Sequence, residues 1–477
     1  MDATVTRRDA RLLAHNEARA IVCGVLLPVF MGSVDTTILA GALPTIGREL
    51  GQVHALPWLV TAYLIASTAV TPLYGKISDI SGRRVTLSVA IAIYMVGSLI
   101  CALAPDMLVL ILGRIVHGLG GGGLTSLAMV VLGDIAAPKD RGRYYAYFAM
   151  TYMTAGACGP ALGGFLADHA HWSMIFWLNL PLGCAALAMT ATLLRRLPRH
   201  ERPHRLDVLG ALAIMAASTC LMLALNLGGV TLAWTSWPLL ALFALALGLG
   251  AAFVARLLTA PEPLIPLAIL ASPEARLAIT ANAFGWGSII GLNIFLPMFL
   301  QSVVGVSPTS AGLSLMILMA TLNLSAGAAG QVIGRVQHYK TVPLIGLTVA
   351  IASVALLAWR GGDLGLVGFE ILVALIGIGF GPLAPLTTVV LQNSVAIHQF
   401  GTAMGTMNFC RNLSATVVVA VFGAIVLGGA PGAGDALGSS AGFTRVFLVA
   451  AACMSLSFLC TLVLKEKPLH TDVVAAS

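Results

Sequence analysis

The chain has 477 residues, of which 58% are hydrophobic and 9% charged, against roughly 25% charged in ordinary soluble domains. A large soluble helical protein is excluded, because it would need charged helix faces that this sequence lacks. The formal net charge of +7 sits mostly as Lys and Arg in short segments between apolar runs, which is a topology signal rather than a nucleic-acid surface.

Apolar runs of about 20 residues, the length that crosses roughly 30 Å of hydrocarbon, recur from Ile21 to Leu464. They predict fourteen helices, at 20–42, 57–75, 85–104, 107–132, 144–167, 173–194, 207–227, 237–258, 277–301, 310–333, 342–359, 366–391, 403–427 and 443–464. No secretory signal is expected, since the first run has no small-residue cleavage site after it. The expected organisation is a tail (1–19), a six-helix bundle (20–194), a basic linker (195–206), two extra helices (207–258), a second six-helix bundle (277–464) and a second tail (465–477). Twenty-one of the 26 Lys and Arg residues fall on the side of the termini and three on the other, with Arg114 and Arg411 inside spans. That asymmetry predicts both termini in the cytoplasm.

In span one, Asp35 stands near mid-membrane, where an unpaired charge costs several kcal/mol or takes up a proton. Between spans two and three runs Gly75-Lys76-Ile77-Ser78-Asp79-Ile80-Ser81-Gly82-Arg83-Arg84. There a carboxylate can lie against a neighbouring helix N-terminus or pair with Arg83 or Arg84. Such contacts can exist in one global state and not another, so the turn is expected to act as a lock, with Asp79 close to Thr402 and Ala403. Span four carries Arg114, a permanent cation whose natural partner is a nearby carboxylate, and His117 three residues on, on the same helical face. Span five carries Gly156, Gly159, Pro160, Gly163 and Gly164, read as a side-chain-free stripe beside a proline bend. That stripe is expected to form a seam along which two half-bundles rock or seal.

The second half holds no acid in spans nine and ten; Asn282, Asn293 and Asn323 stand there instead. Arg411 in span thirteen must face a cavity or a partner, with Asn408 one turn earlier. An internal repeat aligning Gly75 with Gly330 puts Gly334 opposite Asp79, so the charged lock is lost in the second half. The eight cysteines form no CxxC pair, so no metal site or disulfide framework is expected. No ATP-cradling loop or His-Glu-x-x-His string occurs, and the short loops leave no room for a soluble catalytic domain.

The string from Gly75 to Arg84 resembles the signature loop of the major facilitator superfamily. Arg114-Ile115-Val116-His117-Gly118 is similar to that family's R-x-x-Q-G pattern, with His117 in place of glutamine. Gly156, Gly159-Pro160 and Gly163-Gly164 resemble its antiporter signature, although Tyr147 replaces a glycine of the longer form. The surroundings of Asp35, together with Trp177 to Pro181, Leu296 to Gln301 and Gly401 to Gly405, look like the fourteen-helix drug:proton antiporters of the EmrB/QacA type.

The resemblance implies an all-α membrane protein with the major facilitator fold, two six-helix bundles plus two central helices. It further implies proton-coupled efflux of small amphipathic drugs or metabolites by alternating access, in a cell membrane. Proton coupling is expected of Asp35 and Arg114. The substrate cavity is expected to draw on Asp35, His117, Asn282, Asn293, Gln301, Asn408 and Arg411, and one membrane carboxylate suits lipophilic cations. The expected partners are a small-molecule substrate, protons and lipid; a periplasmic adaptor is left open. The expected energy source is the proton gradient, with no cofactor, no metal and no nucleic acid. Export or proton symport of one dedicated metabolite is the alternative within transport. A non-transporting membrane sensor or enzyme is the alternative outside it, and would need clustered catalytic side chains that the sequence does not show.

Overall fold

The structure is a computed structural model that describes residues 15–50, 55–135, 138–196, 206–229, 231–333, 338–396, 399–426 and 440–466. The chain order is α1 (His15–Leu50), α2 (Leu56–Ser81), α3 (Arg83–Ala102), α4 (Met107–Ile135), α5 (Pro138–His169), α6 (Met174–Trp177) and α7 (Asn179–Leu193). Then come α8 (Val208–Leu227), α9 (Trp237–Thr259), α10 (Leu267–Ala271), α11 (Pro273–Phe299) and α12 (Pro308–Ile333). The last are α13 (Thr341–Arg360), α14 (Leu366–Phe380), α15 (Leu383–Ser394), α16 (Phe400–Val426) and α17 (Ser440–Val463). Most of the basic linker and both tails lie outside the described residues, as does the Gly334 turn.

Thirteen stretches are long and apolar enough to cross a membrane. The fourteenth crossing is α5, which is more polar but 32 residues long. It lies along α1 and α12, both of them spans. Two crossings are broken: α6 and α7 meet at Leu178, and α14 and α15 meet at Gly381 and Pro382. Local chemistry sets several boundaries. Asp207 caps α8 by accepting from the Gly210 N–H, and Ser272 caps α11 by accepting from the Ala275 N–H, each satisfying a donor the helix cannot. Gly82, at φ 85°, allows α2 to turn straight into α3. Helix α1 continues eight residues past the predicted limit, to Leu50, with Arg48 and Glu49 in its last turn, because a helix can carry charges beyond the hydrocarbon.

Helices α1 to α7 pack on one another, and α11 to α17 do the same. The two groups meet along α2 with α16 and along α5 with α12, while the α8–α9 hairpin leans on α2 and α16 through α8. Since Asp79 lies in the last turn of α2 and meets the start of α16 at Gly401 and Thr402, both lie at one end of the molecule, called here the Asp79 end. The second bundle is filled by stacked and edge-on phenylalanines, with Phe299 packing on Phe369, Phe443 and Phe447. The core of the first bundle is interrupted by a charged cluster.

Candidate functional site

The cluster forms where α1, α2 and α4 converge. Asp35, Arg114 and His117 are 2%, 1% and 0% exposed, so every charge among them must be met inside the protein. One terminal nitrogen of Arg114 donates to both carboxylate oxygens of Asp35, at 2.8 and 2.9 Å. Its Nε donates to the Leu59 carbonyl of α2 at 2.8 Å. The guanidinium lies over the Tyr63 ring, 4.4 Å from its centroid, a favourable place for a desolvated cation.

His117 completes the set. Its Nδ1 is 3.1 Å from the Arg114 nitrogen and 3.6 Å from Asp35 Oδ1. Arginine only donates, so Nδ1 accepts and the ring proton sits on Nε2. That buried nitrogen has no hydrogen-bond partner. The ring is pinned by Tyr94 at 3.9 Å between centroids, and the Tyr94 hydroxyl donates to the Met31 carbonyl. Gly97 and Gly120 permit this packing. A Cβ at Gly97 would enter the His117 backbone, and one at Gly120 would enter Tyr94. Tyr63 and Tyr94 carry no motif and could have been found only by placing α2 and α3 against α4.

The signature turn bridges the two bundles. Asp79 accepts from the backbone N–H groups of Gly401 and Thr402, at 3.1 and 2.8 Å, and from the Thr402 hydroxyl at 2.7 Å. It therefore caps the N-terminus of α16, where unpaired N–H groups and the helix dipole favour a carboxylate. Arg83 holds the same carboxylate at 2.5 Å and reaches Asp134 of α4 at 2.8 Å. Asp134 was missed from sequence, although it is an acid at the end of span four, on the side of the signature arginines. Gly75 is needed because a Cβ there would press on the Gly401 carbonyl. Arg84 makes no ion pair with a described residue.

The span-five glycines divide differently from the expected seam. A Cβ on Gly159 would collide with the Thr37 hydroxyl, and one on Gly163 with the Ile38 carbonyl oxygen. Both residues belong to α1, and Thr37 donates to the Ala155 carbonyl at 3.1 Å. Two of the four glycines thus seat α5 against α1 inside the first bundle. Gly156 and Gly164 have nothing within 4 Å of a Cβ. The side chain of Pro160 lies outside the described residues.

A cavity of about 850 Å³ opens between the bundles, away from the Asp79 end. Its walls come from α2, α8, α11 and α16, and the loop between α8 and α9 folds over it. Thr68, Asn226, Asn412 and Thr416 give it neutral polar points among apolar surfaces that include Trp234 and Trp286, and no charged residue among the described ones lines it. None of the seven residues expected to line a substrate cavity lines this one. Asp35 and His117 are sealed in the first bundle by Arg114 and Tyr94. Asn282 donates to the Thr387 hydroxyl within the second bundle. Asn293 donates to the Ile289 carbonyl, and Gln301 is exposed in a π-helical turn after α11. Asn408 is buried, and Arg411 stands half-buried beside Trp286. With Asp35 held by Arg114, no carboxylate among the described residues lines the cavity to favour a cation.

The family model of the Major Facilitator Superfamily matches residues 25–419. The chain belongs to the major facilitator superfamily. Among superfamily relatives, the multidrug transporter protein MdtP of Bacillus subtilis is 31% identical over 85% of this chain and 75% of its own length. Multidrug resistance protein 3 of the same organism is 30% identical over 87% of this chain and 81% of its own. The fold agrees with solved transporters. A double-tryptophan mutant of the transporter XylE superposes with a TM-score of 0.68 at 14% identity, covering 96% of this chain and 98% of the other. An outward-facing bacterial homologue of the iron transporter ferroportin gives 0.66 at 13% identity, covering 94% and 98%. The protein is thus a multi-span membrane transporter, not an enzyme.

Proposed function

We propose that this transporter is a proton-driven exporter of small amphipathic molecules, working by alternating access in a cell membrane with both termini cytoplasmic. The observation that carries the proposal is the sealed Asp35–Arg114–His117 cluster. Asp35 accepts two hydrogen bonds from Arg114 and is the charged partner of that cation among the described residues. Protonating the carboxyl removes the charge that fixes Arg114 and frees the guanidinium to swing toward other acceptors. A single proton can therefore change how α1, α2 and α4 sit together. One charge crossing the membrane field is worth about 2.3 kcal/mol per 100 mV, enough to bias such a two-state cycle.

The Asp79 contact to α16 closes the cytoplasmic end in this orientation, and the cavity lies toward the outer side. That pairing suits a carrier caught between release of substrate and uptake of a proton. Export is favoured by the relatives, two of which carry multidrug names. The test is a substrate panel in everted membrane vesicles under an imposed proton gradient. Gradient-dependent accumulation by wild type that is lost in Asp35→Asn supports the proposal. Accumulation that ignores the gradient, or that Asp35→Asn leaves intact, contradicts it.

A further inference from the structure

Among the described residues Arg83, Arg114 and Arg256 are paired with carboxylates; Lys76 is buried near the Asp79 end without a carboxylate partner, and the cation that lacks one deep in a span is Arg411. It lies twelve residues into α16, deep in a span. Its Nε is buried with no hydrogen-bond partner, and no described carboxylate forms an ion pair with it. Its guanidinium carbon is 5.2 Å from the Trp286 ring centroid. One turn before it, the Asn408 Nδ2 is also buried and unpartnered.

The position of this donor pair gives it meaning. Trp286 and Asn412, the residue after Arg411, both line the 850 Å³ cavity. Its size falls within the usual range for small-molecule sites, roughly 300–1,000 Å³. An unpaired cation within the membrane is costly to keep, and a ligand anion is what such a donor set lacks.

We propose that the substrates of this transporter are amphipathic monoanions, with the charged group on Arg411 and Asn408 and the apolar body in the cavity beside Trp286. The proposal rests on the transporter function given above and supplies its substrate class. A carboxylate or sulfonate there would accept from the free guanidinium nitrogens. The aromatic or aliphatic body would lie among Leu64, Ile65, Ile290, Ile294 and Phe295, all of which line the cavity. A lipophilic cation of the same shape would meet the uncompensated charge of Arg411 and be repelled.

Three probes with one body separate charge from shape: 1-pyrenebutyrate, its methyl ester and 1-pyrenebutylamine. Binding to full-length protein in detergent at pH 7.5 is read by energy transfer from tryptophan to pyrene, with no gradient applied. Wild type should bind the carboxylate about 10- to 100-fold more tightly than the ester, the range for hydrogen bonds to a charged group, and the amine more weakly still. Arg411→Gln should reduce carboxylate affinity to that of the ester and leave the ester unchanged, while Arg411→Lys should recover part of the difference. Gly423→Leu, whose side chain would enter the cavity, should weaken carboxylate and ester alike. Equal affinity of wild type for carboxylate and ester, preference for the amine, or saturable binding of none of the three would overturn the proposal. The wild-type comparison needs no variant to fold. It also needs no proton coupling, so its failure is distinct from a failure of gradient-driven export.

Discussion

In the first bundle two buried arginines sit in matched sets. Arg114 is held by Asp35, a backbone carbonyl, His117 and a tyrosine face, and Arg83 is held by Asp79 and Asp134. In the second bundle the interior is aliphatic and phenylalanine side chains with the neutral pair of Asn282 and Thr387, and the charge deep in it is Arg411 beside Trp286. The two halves share helix packing but differ in what a change of charge does. A proton added to the first half removes one side of an existing pair, whereas an anion added to the second supplies a missing one. On the two proposals above, coupling belongs to the first bundle and substrate charge to the second.

The comparison breaks most visibly at Arg114. Its removal strands the Asp35 carboxylate in a dry interior, a change that typically costs about 3–5 kcal/mol. Arg114→Ala should lower the yield of monodisperse protein and its melting temperature in detergent, and the double variant Asp35→Asn/Arg114→Gln should recover much of both. Arg411→Gln, by contrast, should melt near wild type, because no pair is broken. Equal destabilisation by both single variants would erase the distinction between the bundles.

The lock comes next in size. Asp79→Ala removes three acceptor contacts from the start of α16, worth about 1–3 kcal/mol together. A loss of about 2 kcal/mol changes a two-state balance roughly 30-fold. Spin labels at Ser81 and Gln399 should show the Asp79 end widening in a larger fraction of molecules. An unchanged distance distribution would deny Asp79 any role in holding the bundles together.

The smallest effect sharpens the reading of span five. Gly159→Ala drives a methyl into the Thr37 hydroxyl and should destabilise by about 1–3 kcal/mol, the usual cost of overpacking. Gly156→Ala adds a methyl to open space and should be neutral in thermal unfolding. If Gly156→Ala instead abolished transport in well-folded protein, the glycines would act at the interface between bundles after all.

Much of this was legible in the sequence, for identifiable reasons. Span number follows from apolar length, and Asp35, Arg114 and Asp79 are conspicuous because a membrane interior tolerates so few ionisable residues. Pairing across helices was harder to read. Asp134 lies 51 residues from Arg83, and Tyr63 and Tyr94 read as ordinary apolar positions until α2, α3 and α4 are placed together. The cavity residues were missed because Trp286, Asn226 and Trp234 become neighbours only when the α8–α9 loop folds over the junction of α2 with α16. Periodicity put all four span-five glycines on one broad face, yet Gly159 and Gly163 meet α1 while Gly156 and Gly164 are rotated away from it, since neighbouring helical positions differ by about 100°.

The most direct measurement uses Asp35→Asn, which keeps an oxygen acceptor for Arg114 while deleting the titratable group. Reconstituted vesicles carrying this variant should be compared with wild type for the panel compound that wild type transports best. Both exchange without a gradient and accumulation driven by an imposed proton gradient should be recorded. Asp35 as the proton carrier predicts that exchange persists, which also shows that the variant is folded, and that gradient-driven accumulation disappears. Accumulation by Asp35→Asn to the wild-type level would contradict it.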